Sequence, residues 1–271
     1  MPELPEVETF VRSLRSGGIT GKSIINRQIR SVDCFNPNTL ICDGTAGTEQ
    51  LEGKTVLTAE RRGKYIRLGT DGPFILIHLR MSGDLRCDAD DPDTLRKHDR
   101  VVFHFTDGSR LAFNDVRKFG RIWITNDPEV VTGGLGIEPL GKALTGTWLK
   151  KKLAGQKRPI KAALLDQSMI AGIGNIYADE SLFAAGILPT RPAESLKKRE
   201  CDRLADSIRE ILTKAIDANG SSFDWAYKGG HFQNDFMVYQ RKGEPCRVCG
   251  SEIQRTVIGQ RGTHFCPKCQ H

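Results

Sequence analysis

The 271-residue chain has no long hydrophobic run. No stretch approaches the ~18 apolar residues that a membrane-crossing helix needs, so no membrane partner is expected. The N-terminus lacks the apolar segment of a signal peptide and carries Glu3, Glu6 and Glu8 instead. A cytoplasmic monomer is the expectation. Internal repeats and low-complexity tracts are also missing, which sets repeat architectures and compositionally biased tails aside. Cys34, Cys42, Cys87 and Cys201 are scattered singly, with no spacing that argues for a disulfide framework.

What is present describes a folded chain with a basic bias. Hydrophobic content of 38% and charged content of 27% suffice for real cores. A net charge of +7 favours a polyanionic partner, nucleic acid before a membrane surface. Residues 23–125 read as β-rich, with strands expected at Ser23–Ile29, Thr55–Thr58, Tyr65–Leu68, Phe74–Leu79, Val101–Phe105, Arg110–Phe113 and Arg121–Ile124. Asp71-Gly72-Pro73, Ser82-Gly83-Asp84 and Asp107-Gly108 are the turn signals between them. The acidic run Cys87–Asp93 reads as an exposed loop. Many short strands with few helices between them predict an antiparallel sandwich or barrel. Residues 133–141, glycine-rich, read as a linker, and a helical pattern follows. It is clearest over Ala193–Ala218, where Asn219-Gly220 ends it. The expected division is 1–132, a β-sandwich with an N-terminal helix; 142–240, helical; and 241–271, a cysteine-bearing hairpin.

The strongest local signal is Cys246-x2-Cys249-x16-Cys266-x2-Cys269. Each C-x-x-C puts two thiolates on one tight turn, and two such turns complete a tetrahedral shell for one metal ion; softness and geometry favour Zn²⁺, with iron the usual alternative. Four cysteines leave no open position, so the zinc is expected to be structural; His264 lies close but is not needed as a ligand. Gln260–Phe265 reads as the hairpin tip or its return strand. Arg261 there can grip a phosphate, or the segment can be a solvated turn. Lys161–Gln167 and Ile170–Glu180 read as two helices joined by glycine-containing turns, with Asn175 capping the second. The clusters Arg61-Arg62-Gly63-Lys64-Tyr65, Lys97-His98-Asp99-Arg100 and Asp115–Arg121 fit either phosphate contact or a solvated face.

The first residues allow two readings. Pro2-Glu3-Leu4-Pro5-Glu6 is a good helix start, with proline at the first turn and glutamates beside the positive end of the helix dipole. If Met1 is removed, Pro2 also offers a secondary amine that can attack an electrophilic carbon, with Glu3 and Glu6 near enough to move protons.

Together, Pro2–Thr9, Arg61–Tyr65, His78–Gly83, Lys97–Asp99, Arg117–Gly120, Gly172–Tyr177 and the cysteine hairpin resemble formamidopyrimidine-DNA glycosylases, in family order and over essentially the whole chain. Pro2-Glu3-Leu4 resembles that family more than its sister, endonuclease VIII. The resemblance implies a multidomain α+β fold: a β-sandwich, a helix-two-turn-helix domain and a zinc β-hairpin. It implies a bifunctional enzyme that excises oxidised purines from damaged double-stranded DNA and then cuts the strand. Pro2 would attack C1′ and form a Schiff base. Glu3 would move protons near the sugar, and Glu6 would order the site. Lys64 would donate a proton in β-elimination and Arg261 would serve δ-elimination. His78, His98, Lys157, Lys161 and Asn175 would bind DNA, while Met81, Arg117 and Phe119 would fill the gap left by the everted nucleotide.

Two departures from the family pattern stand out. The segment Phe223–His231 is shorter than the usual glycine-rich loop and carries Trp225 and Tyr227, which can stack on a flipped base or pack the loop down. Arg100 stands where the family commonly has a second histidine. Oxidised pyrimidines remain the runner-up substrate, and a non-catalytic zinc protein that binds damaged DNA is the reading from another class.

Overall fold

Leu4, Val7, Val11 and Leu14 recur at helical spacing and form the buried stripe of α1 (Leu4–Ser16). The helix stops where Gly17 and Gly18 take φ of 85° and 145°. The computed structural model describes residues 1–88, 95–222 and 229–271. The chain divides into two units, Met1–Gly134 with Ser221–Gly230, and Leu135–Gly220 with His231–His271.

In the first unit, two sheets share a core with α1. One sheet has the order β1-β7-β8-β6 and the other β2-β9-β5-β4-β3. The strands are β1 (Ile29–Cys34), β2 (Leu40–Cys42), β3 (Val56–Arg62), β4 (Tyr65–Thr70), β5 (Phe74–His78), β6 (Gly83–Asp88), β7 (Asp99–Phe105), β8 (Arg110–Asp115) and β9 (Arg121–Thr125). Phe103, Phe105 and Phe113 from one sheet, Ile66, Ile75 and Ile122 from the other, and Phe10 of α1 belong to one buried cluster. Each such side chain contributes about 1.5–3 kcal/mol by burial. A four-residue helix, α2 (Glu129–Thr132), closes the main stretch of this unit.

The sandwich matches expectation, with three corrections. Ser23–Arg27 is not strand. Ser23 Oγ–H donates to the Arg15 carbonyl (2.6 Å), finishing α1, and Asn26 turns the chain at φ 63°. Strand β1 therefore starts at Ile29. Ser82-Gly83-Asp84 is not the turn itself: the chain turns at Arg80 (φ 54°), and Gly83 opens β6 by donating to the Leu79 carbonyl (2.9 Å). A Cβ at Gly83 would lie 2.5 Å from that oxygen, so the glycine marks a close approach. Finally, β2 is too short to show periodicity, and it pairs with β9 in parallel.

The second unit holds α3 (Gly146–Leu153), α4 (Ile160–Leu164), α5 (Asn175–Ala184), α6 (Lys198–Asp217) and the hairpin β10 (Gln254–Ile258) with β11 (Arg261–Phe265). The expected helix over Ala193–Ala218 is split into a 3-10 turn, Ala193–Ser195, and α6. The split has a cause: Glu200 accepts the Lys197 N–H (2.7 Å) and pairs with Arg191 (2.6 Å), which fixes the start of α6. Asn219 (φ 58°) and Gly220 (φ 77°) end it as expected. In the zinc hairpin, Gly259 and Gln260 both have positive φ, 54° and 62°, the requirement of a tight two-residue turn.

Candidate active site and nucleic-acid interface

Glu3 and Glu6 are both 3% exposed, so neither is a solvated partner of the helix dipole. Glu6 Oε2 accepts the Glu3 N–H (2.8 Å). Its Oε1 accepts the N–H (2.8 Å) and the hydroxyl (3.0 Å) of Ser221. One carboxylate thus pins the chain beside Pro2 from two distant places in sequence. Met1 precedes Pro2 here, so the Pro2 nitrogen is an amide in this form.

Lys64 sits in the Gly63-Lys64 turn between β3 and β4, and is only 7% exposed. Gly63 takes φ 55° there. Arg61 braces the turn, donating to Glu8 of α1 (3.1 Å) and to the Gly63 carbonyl (3.2 Å). His78 pairs with Tyr65 across β4 and β5, their rings edge to face at 4.7 Å. Its Nδ1 accepts the Arg80 N–H (3.0 Å). Burial first, then the charges of Arg80 and Lys64, push His78 down to about 3. The ring is therefore neutral, and with Nδ1 accepting, its proton sits on Nε2.

Met81 (43%) and Phe119 (47%) are exposed large apolar side chains on two loops of this unit. Arg117 lies over the Phe119 ring at 4.9 Å. Ser82 Oγ–H donates to Asp115, whose carboxylate also accepts the Arg117 N–H (3.1 Å), so the two loops are joined. His98 is half-buried, with Nδ1 3.2 Å from Arg100 Nη2. Trp225, Tyr227 and the later part of the acidic run, residues 89–93, lie outside the described residues; the start of that run is not an exposed loop, because Cys87 and Asp88 end β6 and Cys87 is buried.

In the second unit, the start of α5 differs from expectation: Gly174 holds the cap position and Asn175 is the first helical residue. Among the described residues the enclosed Asn175 side-chain oxygen has no hydrogen-bond partner. Lys157 and Arg261 are exposed. Lys161 is 0% exposed, so the sequence expectation of a phosphate contact does not fit its position. Its ammonium lies 2.7 Å from Asp179, and donates to the Gly262 carbonyl and Thr263 Oγ1, both at 2.9 Å. Lys161 holds the strand that carries Arg261 rather than reaching out beside it. Asp179 also accepts the His264 N–H (2.9 Å). Glu180 accepts three successive N–H groups, of Met237, Val238 and Tyr239, at 2.8–3.0 Å. Burial nonetheless pushes the Glu180 carboxyl above the usual carboxylate range, making it a weaker acid.

The sulfurs of Cys246, Cys249, Cys266 and Cys269 all lie within 4.8 Å of one another. Two pairs are at 3.9 and 3.5 Å. A tetrahedron with Zn–S bonds near 2.3 Å has edges of about 3.8 Å, so the set fits one zinc with no vacant position. Val248 and Cys269 direct N–H groups at Cys246 and Cys266 sulfurs (3.4 Å each), which stabilises thiolates.

Three family models match in order along the chain. They are the formamidopyrimidine-DNA glycosylase N-terminal domain at residues 1–122, the H2TH domain of the same enzymes at 135–226, and the zinc finger found in FPG and IleRS at 243–271. The chain belongs to the formamidopyrimidine-DNA glycosylase family. The formamidopyrimidine-DNA glycosylase of Geobacillus kaustophilus is 42% identical over 280 residues, covering 100% of both chains. That of Brevibacillus brevis is 44% identical over 285 residues, covering 100% of this chain and 99% of the other. Among solved structures, a mutant Lactococcus lactis Fpg in complex with Fapy-dG containing DNA superposes with a TM-score of 0.89 at 37% identity, covering 100% of both chains. The MutM (Fpg) protein of Thermus thermophilus gives 0.86 at 37%, covering 99% and 98%.

The zinc of this family is structural here: it closes the hairpin on which Arg261 is carried. Sequence reasoning missed the anchoring groups. Ser221, Ser82, Asp115, Asp179 and Glu180 act through partners 33 to 215 residues away, and no local pattern announces them. The exception is Glu180, whose place one residue after Asp179 in an apolar helix was a signal of buried acid.

Proposed function

We propose that the chain is a bifunctional DNA glycosylase and abasic-site lyase acting on oxidised purines, including 8-oxoguanine and formamidopyrimidines, in duplex DNA. The observation that carries this reading is the buried pair Glu3 and Glu6 at the first residues of a chain of this family. Removal of Met1 frees the Pro2 amine. Its lone pair attacks C1′, the glycosidic bond breaks, and the base leaves with a proton. The C1′–O4′ bond then opens, with O4′ taking a proton by way of Glu3, and leaves an iminium between Pro2 and C1′. That iminium acidifies the C2′ hydrogen, so the 3′ phosphate is expelled by β-elimination and the 5′ phosphate by δ-elimination. Glu3 moves protons at the sugar, and Glu6, held by Ser221, fixes the segment that carries Pro2. Lys64 serves β-elimination. Its place in the turn beside β5, close enough for its charge to act on His78, supports that role.

Asn175, Lys157 and Arg261 hold backbone phosphates, and Arg261 serves δ-elimination. His78 and His98 contribute hydrogen bonds, and Met81, Arg117 and Phe119 enter the space left by the everted nucleotide. Lys161 acts from inside, on the Arg261 strand. A cytoplasmic monomer is part of this reading; among the described residues no helix is long and apolar enough to cross a membrane.

The test is borohydride trapping on duplex DNA with 8-oxoguanine opposite cytosine, using protein shown by mass to lack Met1. A covalent adduct mapping to Pro2 is expected. Tight binding without adduct or nick would leave a damage-binding zinc protein as the better reading. Faster release of oxidised pyrimidines than of 8-oxoguanine would move the substrate class.

A further inference from the structure

Asp115 ends β8 and is fully enclosed, at 0% exposure. Among the described residues no cationic side chain forms an ion pair with its carboxylate. Its partners are neutral donors from two loops. Oδ1 accepts the Ser82 hydroxyl and the Arg117 N–H (3.1 Å), and Oδ2 accepts the Gly120 N–H (2.7 Å). Ser82 Oγ lies 3.3 Å from the same Arg117 nitrogen, so the two loops meet at one point. A third loop joins through the backbone. Asp115 N–H donates to the His98 carbonyl (2.9 Å), and its own carbonyl accepts Arg100 Nε–H (2.7 Å). The loop is also sterically committed: Lys118 takes φ 60°, and a Cβ at Gly120 would lie 2.3 Å from the Phe113 ring.

We propose that Asp115, with Ser82, is the positioning centre of the void-filling surface, holding the Met81, Arg117–Phe119 and His98 loops as one preassembled face. The inference rests on the reading above that Met81, Arg117 and Phe119 enter the duplex. A buried carboxylate without a counter-ion is expensive and persists where several donors converge on it. An ordinary turn cap would satisfy donors of its own loop. Here the carboxylate reaches across to Ser82, whose neighbour Met81 stands exposed. Rigid placement matters because insertion into a base stack succeeds only if the wedge does not yield first. Asp115 and Ser82 touch no substrate in this scheme. They act through the side chains they hold.

Two variants test it. Ser82→Ala removes only the bridge between loops. Asp115→Asn keeps the size but replaces an acceptor by a donor facing an N–H. Excision of 8-oxoguanine from duplex DNA is expected to fall about 10- to 100-fold. Cleavage of a single-stranded abasic oligonucleotide, where no stack has to be filled, is expected to stay within roughly twofold of wild type, as is its borohydride adduct. In a Met81→Ala background, Ser82→Ala should cost little more, because the two act through one surface. Unchanged duplex excision in both variants overturns the proposal, as does an equal loss on the single-stranded substrate or full additivity with Met81→Ala. Wild-type protein that excises nothing overturns the enzymatic reading instead, so the two failures are distinct.

Discussion

His78 shows how far a residue's surroundings can depart from what its type suggests. Its low value means that burial, with Arg80 and Lys64, disfavours the charged ring. In the unfolded chain it titrates near 6.5. The folded state therefore keeps its full relative stability from this group above about 6.5, and loses it as pH falls from there towards about 3. Imidazole nitrogen shifts should report a neutral ring, protonated on Nε2, at pH 5; a charged ring there would contradict the burial argument. His78→Gln should flatten acid destabilisation between those pH values in a denaturant series. Gly120 is a second case. An added Cβ meets the Phe113 ring and lies 3.2 Å from an Asp115 oxygen. Gly120→Ala should cost about 1–3 kcal/mol by overpacking, measured by equilibrium unfolding. It should also depress duplex excision more than cleavage of single-stranded abasic DNA.

At the scale of elements, the helix-turn-helix and the zinc hairpin are joined by buried polar contacts rather than by packing alone. Lys161 of α4 and Asp179 of α5 are both 0% exposed, and both bond to β11. Lys161→Met leaves Asp179 buried without its cation, a change that typically costs about 3–5 kcal/mol. The expected result is a lowered Tm and a shift of strand-cleavage products from δ towards β, because the strand carrying Arg261 loses its anchor. A variant with wild-type stability and an unchanged product ratio would show that the hairpin holds its place without Lys161. The legible elements were those with strong periodicity, such as α1, α6 and the Phe103–Phe113 hairpin. The missed ones were β2, with three residues and a parallel partner, and β6, whose polar start at Gly83-Asp84 looks like a turn until Leu85 and Cys87 are seen to be buried.

For the whole molecule, the net charge of +7 has a measurable consequence. Two exposed cations, Lys157 and Arg261, are assigned to phosphates. With a slope of about −0.9 per phosphate in log affinity against log salt, binding to duplex DNA should show a slope of roughly −2. Arg261→Ala should reduce it by about 1, whereas Lys161→Met should not, since a buried ammonium releases no counterion from DNA. Titration by fluorescence anisotropy across salt concentrations reads both. A slope near zero would remove phosphate contact as the basis of binding.

The sequence by itself determined the zinc site, the β-sandwich and the family. Each rests on short spacings and on types with few alternatives: four cysteines in two C-x-x-C pairs, alternating apolar strands, and Pro2-Glu3-Leu4. Only the tertiary structure decided which charged residues face inward. Lys161 and Arg261 look alike as cations in a sequence, yet one is sealed against Asp179 and the other is exposed. Glu6 and Asp115 look like ordinary surface acids until Ser221 and Ser82 close over them. The physical reason is that burial of a charge depends on partners brought by the fold from far along the chain, and local pattern carries no record of them.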